Sequence, residues 1–354
     1  MLIPVHLNPA IAAALAWAAL AGGCALRSLR NYHRLEELGP SPENLALHAP
    51  PDCMVVIPAR NEEGFVGRAV KSLPADTVLV VDDGSEDKTA SEAREAGAGV
   101  IRALQPLGRE VGKPNACMQG ARVLTSRWIL FADADTHYQP GFLAAAVGAA
   151  EDAKADFVSF YLKPEFATAA ESILSAFAIA LYFCGVNPQA VPAAAFNGQC
   201  ILVRRDPYEF VGGHKSVLQA ICDDLKMAQL AERHRLKFRV YRAPQLGGVR
   251  MRPSDFVRNA TRFGLIKFSK GAMVLLAALV FALWLPVLVW LAVERQWALA
   301  AVFFFLPAVF LSPWYKAPQS LLAPLAAYGI LPILFRGLLA ALSHGRVEWK
   351  GRVI

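Results

Sequence analysis

Apolar residues in this 354-residue chain are concentrated towards its two ends, and that distribution restricts the fold more than any other feature. Residues 10–26 are almost wholly apolar, and residues 272–342 carry only Glu294, Arg295, Lys316 and Arg336 as charges. The segment between has ordinary soluble composition. Uncharged runs of this length belong in lipid or in a very large core. Ala272–Val293, with 22 uncharged residues, can cross ~30 Å of hydrocarbon at ~1.5 Å per residue. Ala10–Leu26, with 17, lies near the lower limit for a span. Ala298–Trp314 and Leu321–Leu342 are weaker candidates, interrupted by Pro307, Pro313, Pro324 and Pro332.

The charges around these runs set an expected orientation. No Lys or Arg precedes Ala10, whereas Arg27, Arg30 and Arg34 follow Leu26, the reverse of a signal peptide. Lys267 and Lys270 precede Ala272. By the positive-inside rule, residues 27–270 face the cytoplasm and the amino terminus lies outside. If all four runs span, the basic tail (Arg346, Lys350, Arg352) ends outside, against the same rule; one run is then re-entrant or lies along the surface. The six cysteines are scattered without a Cys-x-x-Cys pair, which predicts neither a disulfide nor a zinc site. The net charge of +7 does not point to nucleic acid, because the basic residues flank the apolar runs and no stacking motif lies among them.

The middle segment alternates short apolar runs with helical patterns. Met54–Ile57 ends at Pro58, Val78–Val81 at Asp82-Asp83-Gly84-Ser85, Val100–Arg102 follows a Gly-Ala-Gly stop, and Trp128–Ala132 ends at Asp133-Ala134-Asp135. Helical patterns cover Glu62–Leu73, Lys88–Ala96 and Pro114–Leu124. This order predicts an α/β domain with a mostly parallel, helix-covered sheet. Such sheets bind ligands beyond the carboxyl ends of their strands. Two of these strands end in acidic pairs. Asp133 and Asp135 suit a hard divalent cation, although Asp is also common in turns. Pro58, Ala59, Arg60, Asn61 and Glu62 leave the first strand, with Asn61 able to cap the next helix and backbone N–H groups available to a phosphate or base. Lys113 begins a helix, where a cation can neutralise phosphate.

Taken in order, Val-Val-Ile-Pro-Ala-Arg-Asn-Glu-Glu (55–63), Val-Val-Asp-Asp-Gly-Ser-Glu-Asp-Lys-Thr (80–89), Gly112-Lys113 and Phe-Ala-Asp-Ala-Asp (131–135) resemble the inverting glycosyltransferases of family two, which have the GT-A fold. The resemblance covers about residues 53–265. It implies that Pro58, Ala59, Arg60, Glu62, Asp82, Asp83, Lys113 and Asp133 line a nucleotide-sugar site, with Asp82 and Asp83 at the nucleoside. It also implies that Asp133 and Asp135 hold the diphosphate through Mg2+ or Mn2+, and that a UDP-sugar is the expected donor. Cys222-Asp223-Asp224-Leu225 resembles the family's base motif. The second acid, Asp224, is then the proton acceptor beside Asp223, against the plainer reading of acids complementing a helix dipole.

Asn259-Ala260-Thr261-Arg262-Phe263 stands where processive members carry Gln-x-x-Arg-Trp. The changed first and last residues favour single transfer over polymer synthesis. Arg262 can still pair with the diphosphate. It also belongs to a stretch, 237–270, with nine Lys or Arg and one Asp, which suits anionic lipid headgroups equally well. Glu171–Gly185 reads either as an interfacial helix delivering a lipid acceptor or as a core helix. The ending 347–352 resembles tails of membrane glycosyltransferases associated with hopanoid, carotenoid and sphingolipid pathways.

The expected organisation is an anchor at 1–34, a GT-A domain at 50–270, transmembrane or interfacial helices at 271–345 and a basic tail at 346–354. The expected activity is transfer of one sugar to a lipid-like acceptor at the cytoplasmic face of the inner membrane, by a multi-pass protein. A processive synthase and an inactive scaffold are the alternatives.

Overall fold

The computed structural model describes residues 8–40, 52–105, 112–188, 196–220, 222–250, 269–314, 319–332, 335, 348–349 and 352–353. The chain divides into two compact units. One comprises residues 35–165 and 188–250; the other comprises 1–34, 166–187 and 251–353.

The first unit is built on an eight-stranded sheet. Its strands are β1 (Glu36–Glu37), β2 (Cys53–Ala59), β3 (Val78–Asp82), β4 (Gly99–Arg102), β5 (Trp128–Ala132), β7 (Phe157–Tyr161), β9 (Cys200–Arg204) and β10 (Phe238–Arg242). The order is β1-β10-β7-β9-β5-β2-β3-β4. Every pairing is parallel except those of β9, which runs antiparallel to both β5 and β7. A smaller sheet joins β6 (Thr136–Tyr138), β11 (Gly247–Arg250) and β8 (Lys163–Glu165) in the order β6-β11-β8. The strands expected from sequence are present, and β3 and β5 are buried along their whole length, as continuous apolar runs require.

Helix Gly112–Val123 packs on β2 and β3 through Gly120. A Cβ there would lie 2.6 Å from Val56 Cγ1 and 2.9 Å from Val81 Cγ2. Gly120→Ala therefore meets two buried methyl groups that cannot retreat. Overpacking costs about 1–3 kcal/mol, against about 1 kcal/mol recovered from helix propensity. The variant is expected to be less stable by roughly 1–2 kcal/mol, read as a lowered thermal midpoint.

The second unit is a cluster of apolar helices: Pro9–His33, Ala169–Gly185, Ser269–Ala282, Trp284–Val293 and Trp297–Leu311. Trp17 anchors it, donating its indole N–H to the Val280 carbonyl at 2.7 Å and meeting Phe303 edge-on at 4.8 Å. Pro9–His33 and Leu275–Val293 are long and apolar enough to cross a membrane. Ala169–Gly185 and Trp297–Leu311 are shorter apolar helices.

Ala169–Gly185 lies in sequence between β8 and β9, yet it packs with the apolar helices. Its polar start is a capping box in which Thr168 and Glu171 satisfy each other's backbone N–H groups. At its other end Asn31 donates to the Phe183 carbonyl at 2.8 Å and Arg27 to that of Cys184 at 2.7 Å, so carbonyls left over at the helix end have partners.

Candidate active site

Strand order assembles the site. Because β5, β2 and β3 are parallel neighbours, Asp133, Pro58–Arg60 and Asp82-Asp83 arrive at one edge of the sheet. Because β9 is antiparallel, its starting end reaches the same edge and brings Asn197-Gly198-Gln199 there. The sequence patterns did not mark this strand reversal.

Past β5 the chain turns tightly, with Thr136 N–H donating to the Asp133 carbonyl at 3.2 Å and its hydroxyl donating to the same oxygen at 2.7 Å. Ala134 is buried, while Asp133 and Asp135 on either side are partly exposed. The turn keeps the two carboxylates close together just beyond the end of β5.

Lys113, in the first turn of its helix, reaches Asp133 Oδ1 at 2.6 Å and donates to the Gly198 carbonyl at 3.0 Å. The Gly198 N–H donates to Asp224 Oδ2 at 2.9 Å, and the Leu225 N–H to Asp224 Oδ1 at 2.7 Å. One lysine and one glycine therefore link the Asp133 carboxylate to Asp224. Burial alone would lower the Lys113 pKa, but Asp133 and Asp223 together drive it well above its usual value, so it is a fixed positive charge. Burial raises Asp133 despite the pull of Lys113, with Asp223 and Glu62 adding repulsion. Asp223 is buried at the start of helix Asp223–Arg233.

Below β5 lies His214, buried and edge-on to Phe131 at 4.4 Å. The Tyr208 hydroxyl accepts from the His214 backbone N–H at 3.1 Å and lies 2.9 Å from Nδ1. The hydroxyl hydrogen is thereby assigned to Nδ1, which leaves the ring proton on Nε2. Burial pushes the imidazole down to about 4, although Asp223 pulls the other way. An unfolded chain takes up this proton near pH 6.5, so it binds protons that the fold refuses between those values. The contribution of His214 is complete above pH 6.5 and is lost as the pH falls towards 4, a loss of roughly 3 kcal/mol. Denaturation followed across that range should show this slope, and His214→Gln should flatten it.

Asp82 and Asp83 are buried at the end of β3. Asp82 Oδ1 accepts from the Ser85 N–H at 3.0 Å, closing the turn in which Gly84 has φ +74°. The loop after β2 differs from the sequence expectation. Its N–H groups are taken within the protein: Asn61 by Ser85 Oγ, Glu62 by Thr89 Oγ1, Glu63 by Asp87 Oδ2 and Gly64 by Glu92 Oε2. They stitch this loop to the one after β3, so they are not available to a phosphate. Asn61 does not cap a helix either; it accepts from the Glu86 N–H at 2.9 Å, and the helix begins later, at Val66–Lys71. Arg60 stays at the end of β2 and Glu62 is buried beside it. Arg262, with Asn259 and Phe263, lies outside the described residues.

The model of Glycosyl transferase family 2 matches residues 54–209, the span that carries β2, β3, β5, β9 and their acidic ends. Over that span the chain resembles glycosyltransferase family 2.

The fold is of the GT-A type. A 4,4'-diaponeurosporenoate glycosyltransferase of Staphylococcus aureus strain MRSA252 is 27% identical over 215 residues, and the match covers 57% of each chain. The chain thus spans little more than half the length of that relative. The enzyme of the same name from strain USA300 is 40% identical over 90 residues, 24% of each chain. Among solved structures, a mannosyltransferase from Pyrobaculum calidifontis, in complex with GDP-Man and Mn2+, shares the fold at 18% identity. The TM-score is 0.52, covering 94% of this chain and 98% of that one.

Proposed function

We propose that this protein is a membrane-anchored, inverting glycosyltransferase that moves one sugar from a nucleotide-diphosphate sugar to a lipid-like acceptor at the cytoplasmic face of the membrane. The observation that carries the reading is the linked set Asp133, Lys113, Gly198 and Asp224 at the carboxyl edge of a family 2 sheet. Two apolar helices of spanning length support the membrane location, and the basic residues on their flanks support a cytoplasmic site.

Asp133 and Asp135 fit Mg2+ or Mn2+ by their chemistry, being hard oxygen donors and nothing else. Among the described residues no third His, Cys, Asp or Glu joins them to complete a cation cage. A pair of carboxylates is what a diphosphate-bound cation needs from a protein, since phosphate oxygens and water supply the remaining ligands. Bound there, the cation would offset the charge that develops on the departing nucleoside diphosphate.

The chain's own residues do the rest. Lys113 supplies a permanent positive charge beside Asp133, where the diphosphate is expected. Asp82 and Asp83, at the end of the adjoining strand, are the groups for the nucleoside. Asp224 takes the proton of the acceptor hydroxyl, and the resulting oxygen displaces the nucleoside diphosphate at the anomeric carbon. Two N–H donors hold its carboxylate in place. Arg262 remains a partner for the diphosphate. Relatives named for diaponeurosporenoate, a carboxylate, widen the acceptor class to lipids ending in a hydroxyl or a carboxyl group.

The test is a mass-spectrometric comparison of lipid extracts from cells with and without the protein. A lipid heavier by one sugar is the expected difference. A ladder of sugars would replace this reading with a processive synthase, and identical extracts would remove the lipid acceptor.

A further inference from the structure

Asp224 is held by a turn that is itself held from within the sheet. Ser159 lies in the middle of β7, fully buried among Phe157, Val158 and Phe160. A hydroxyl in such a place is costly unless it is satisfied. Both of its hydrogen-bonding roles are spent on one residue: it accepts from the Asn197 N–H at 2.8 Å and donates to the Asn197 carbonyl at 2.9 Å. Asn197 then closes the turn, donating from Nδ2 to Gln199 Oε1 at 2.9 Å and accepting from the Gln199 N–H at 3.3 Å. Gly198 sits at the centre, with its carbonyl on Lys113 and its N–H on Asp224.

Glycine fits there because of proximity and not backbone shape, since its φ lies outside the left-handed region. A Cβ would stand 3.0 Å from Asp224 Oδ2, 3.1 Å from its Cβ and 3.2 Å from its Cγ. The carboxylate occupies the space that a side chain would fill.

We infer that Ser159, Asn197 and Gly198 form a positioning platform for the proton acceptor. Ser159 sets the place of the turn, and the N–H of Gly198 sets the place of the Asp224 carboxylate. These residues act through Asp224. Their catalytic importance rests on the reading of Asp224 as the base, whereas their hold on its carboxylate does not. Nothing in the sequence patterns marks Ser159, a single polar residue in an apolar strand.

Two variants test the platform in the full-length protein in detergent. Gly198→Ala pushes the carboxylate away from its donor, and Ser159→Ala removes the support without adding bulk or changing charge. The first readout needs no substrate: carbodiimide-driven labelling of Asp224 with glycinamide across a pH series, quantified by peptide mass spectrometry. Loss of an N–H donor to a carboxylate raises its pKa, so both variants should move the labelling midpoint upwards by about half a pH unit or more. The second is turnover of UDP-glucose or GDP-mannose with a polyene alcohol. There kcat should fall about tenfold while KM for the donor stays unchanged, as a displacement of a few tenths of an ångström predicts. An unmoved labelling midpoint in both variants overturns the platform. If the midpoints move but the wild type consumes neither donor, the platform stands as a support for Asp224 and the proposed activity is what falls. Should Gly198→Ala fail to fold, Ser159→Ala decides alone.

Discussion

Asp224→Asn is expected to lower transfer to a hydroxyl acceptor by about 10²- to 10⁴-fold, the range that a positioned general base contributes. The amide keeps the size of the carboxylate and one oxygen that can still accept from the Gly198 N–H, which holds the turn, while the contact with the Leu225 N–H is given up. What it removes is basicity. A lipid hydroxyl is fully protonated at neutral pH and gains from a base as it attacks. A lipid carboxylic acid is different: with a pKa near 4 it is already ionised and has no proton to surrender. For such an acceptor the same substitution should cost less than about tenfold, the residue of lost orientation alone. Retinol and retinoic acid, which share one skeleton and differ only in the terminal group, make a matched pair for the measurement. A loss that is equally large for both would assign Asp224 to donor binding or structure. A loss confined to the alcohol would identify it as the base and report which acceptor class the site is built for.

The sheet was readable because buried parallel strands leave a plain trace. Continuous apolar runs closed by Pro58, Asp82 and Asp133 predicted β2, β3 and β5 and placed the acidic pairs after β3 and β5 at one edge. β9 was not readable in the same way. Cys200–Arg204 is as apolar as its neighbours, and a run of that kind carries no sign of its direction. Yet its reversal is what delivers Gly198 to Asp224. The loop after β2 illustrates the opposite error. Its N–H groups looked available in a linear string, but Ser85, Asp87, Thr89 and Glu92, which consume them, come from the next loop and helix. Lys113 shows a third case. A lone lysine is usually solvated, and only the fold shows it ion-paired to Asp133. Ala169–Gly185 was ambiguous for a related reason: its composition suits a core helix and an interfacial one equally, and its partners, Pro9–His33 and Ser269–Ala282, are remote in sequence.

Asp133→Asn should abolish cation-dependent turnover, with a loss of roughly 10³-fold or more, because Lewis-acid stabilisation of a diphosphate leaving group is worth several kcal/mol. The contact with Lys113 makes a second, less obvious outcome part of the same experiment. Without a donor, the ammonium of Lys113 already occupies Asp133 Oδ1 at 2.6 Å, an oxygen that a cation would need. A cation bound there would therefore compete with Lys113 for this oxygen as long as no diphosphate is bound. Lys113→Met removes the competitor and leaves Asp133 close to the negative charges of Asp223 and Glu62. Mn2+ alone should then bind more tightly, by about tenfold for ~1.4 kcal/mol of relieved competition, while turnover of the nucleotide sugar falls. Titration of free Mn2+ by electron paramagnetic resonance, without nucleotide, separates the two effects. Weaker Mn2+ binding in Lys113→Met would mean that the lysine orders the carboxylate for the cation instead of holding its place. Unchanged Mn2+ binding in Asp133→Asn would move the cation away from this strand end altogether.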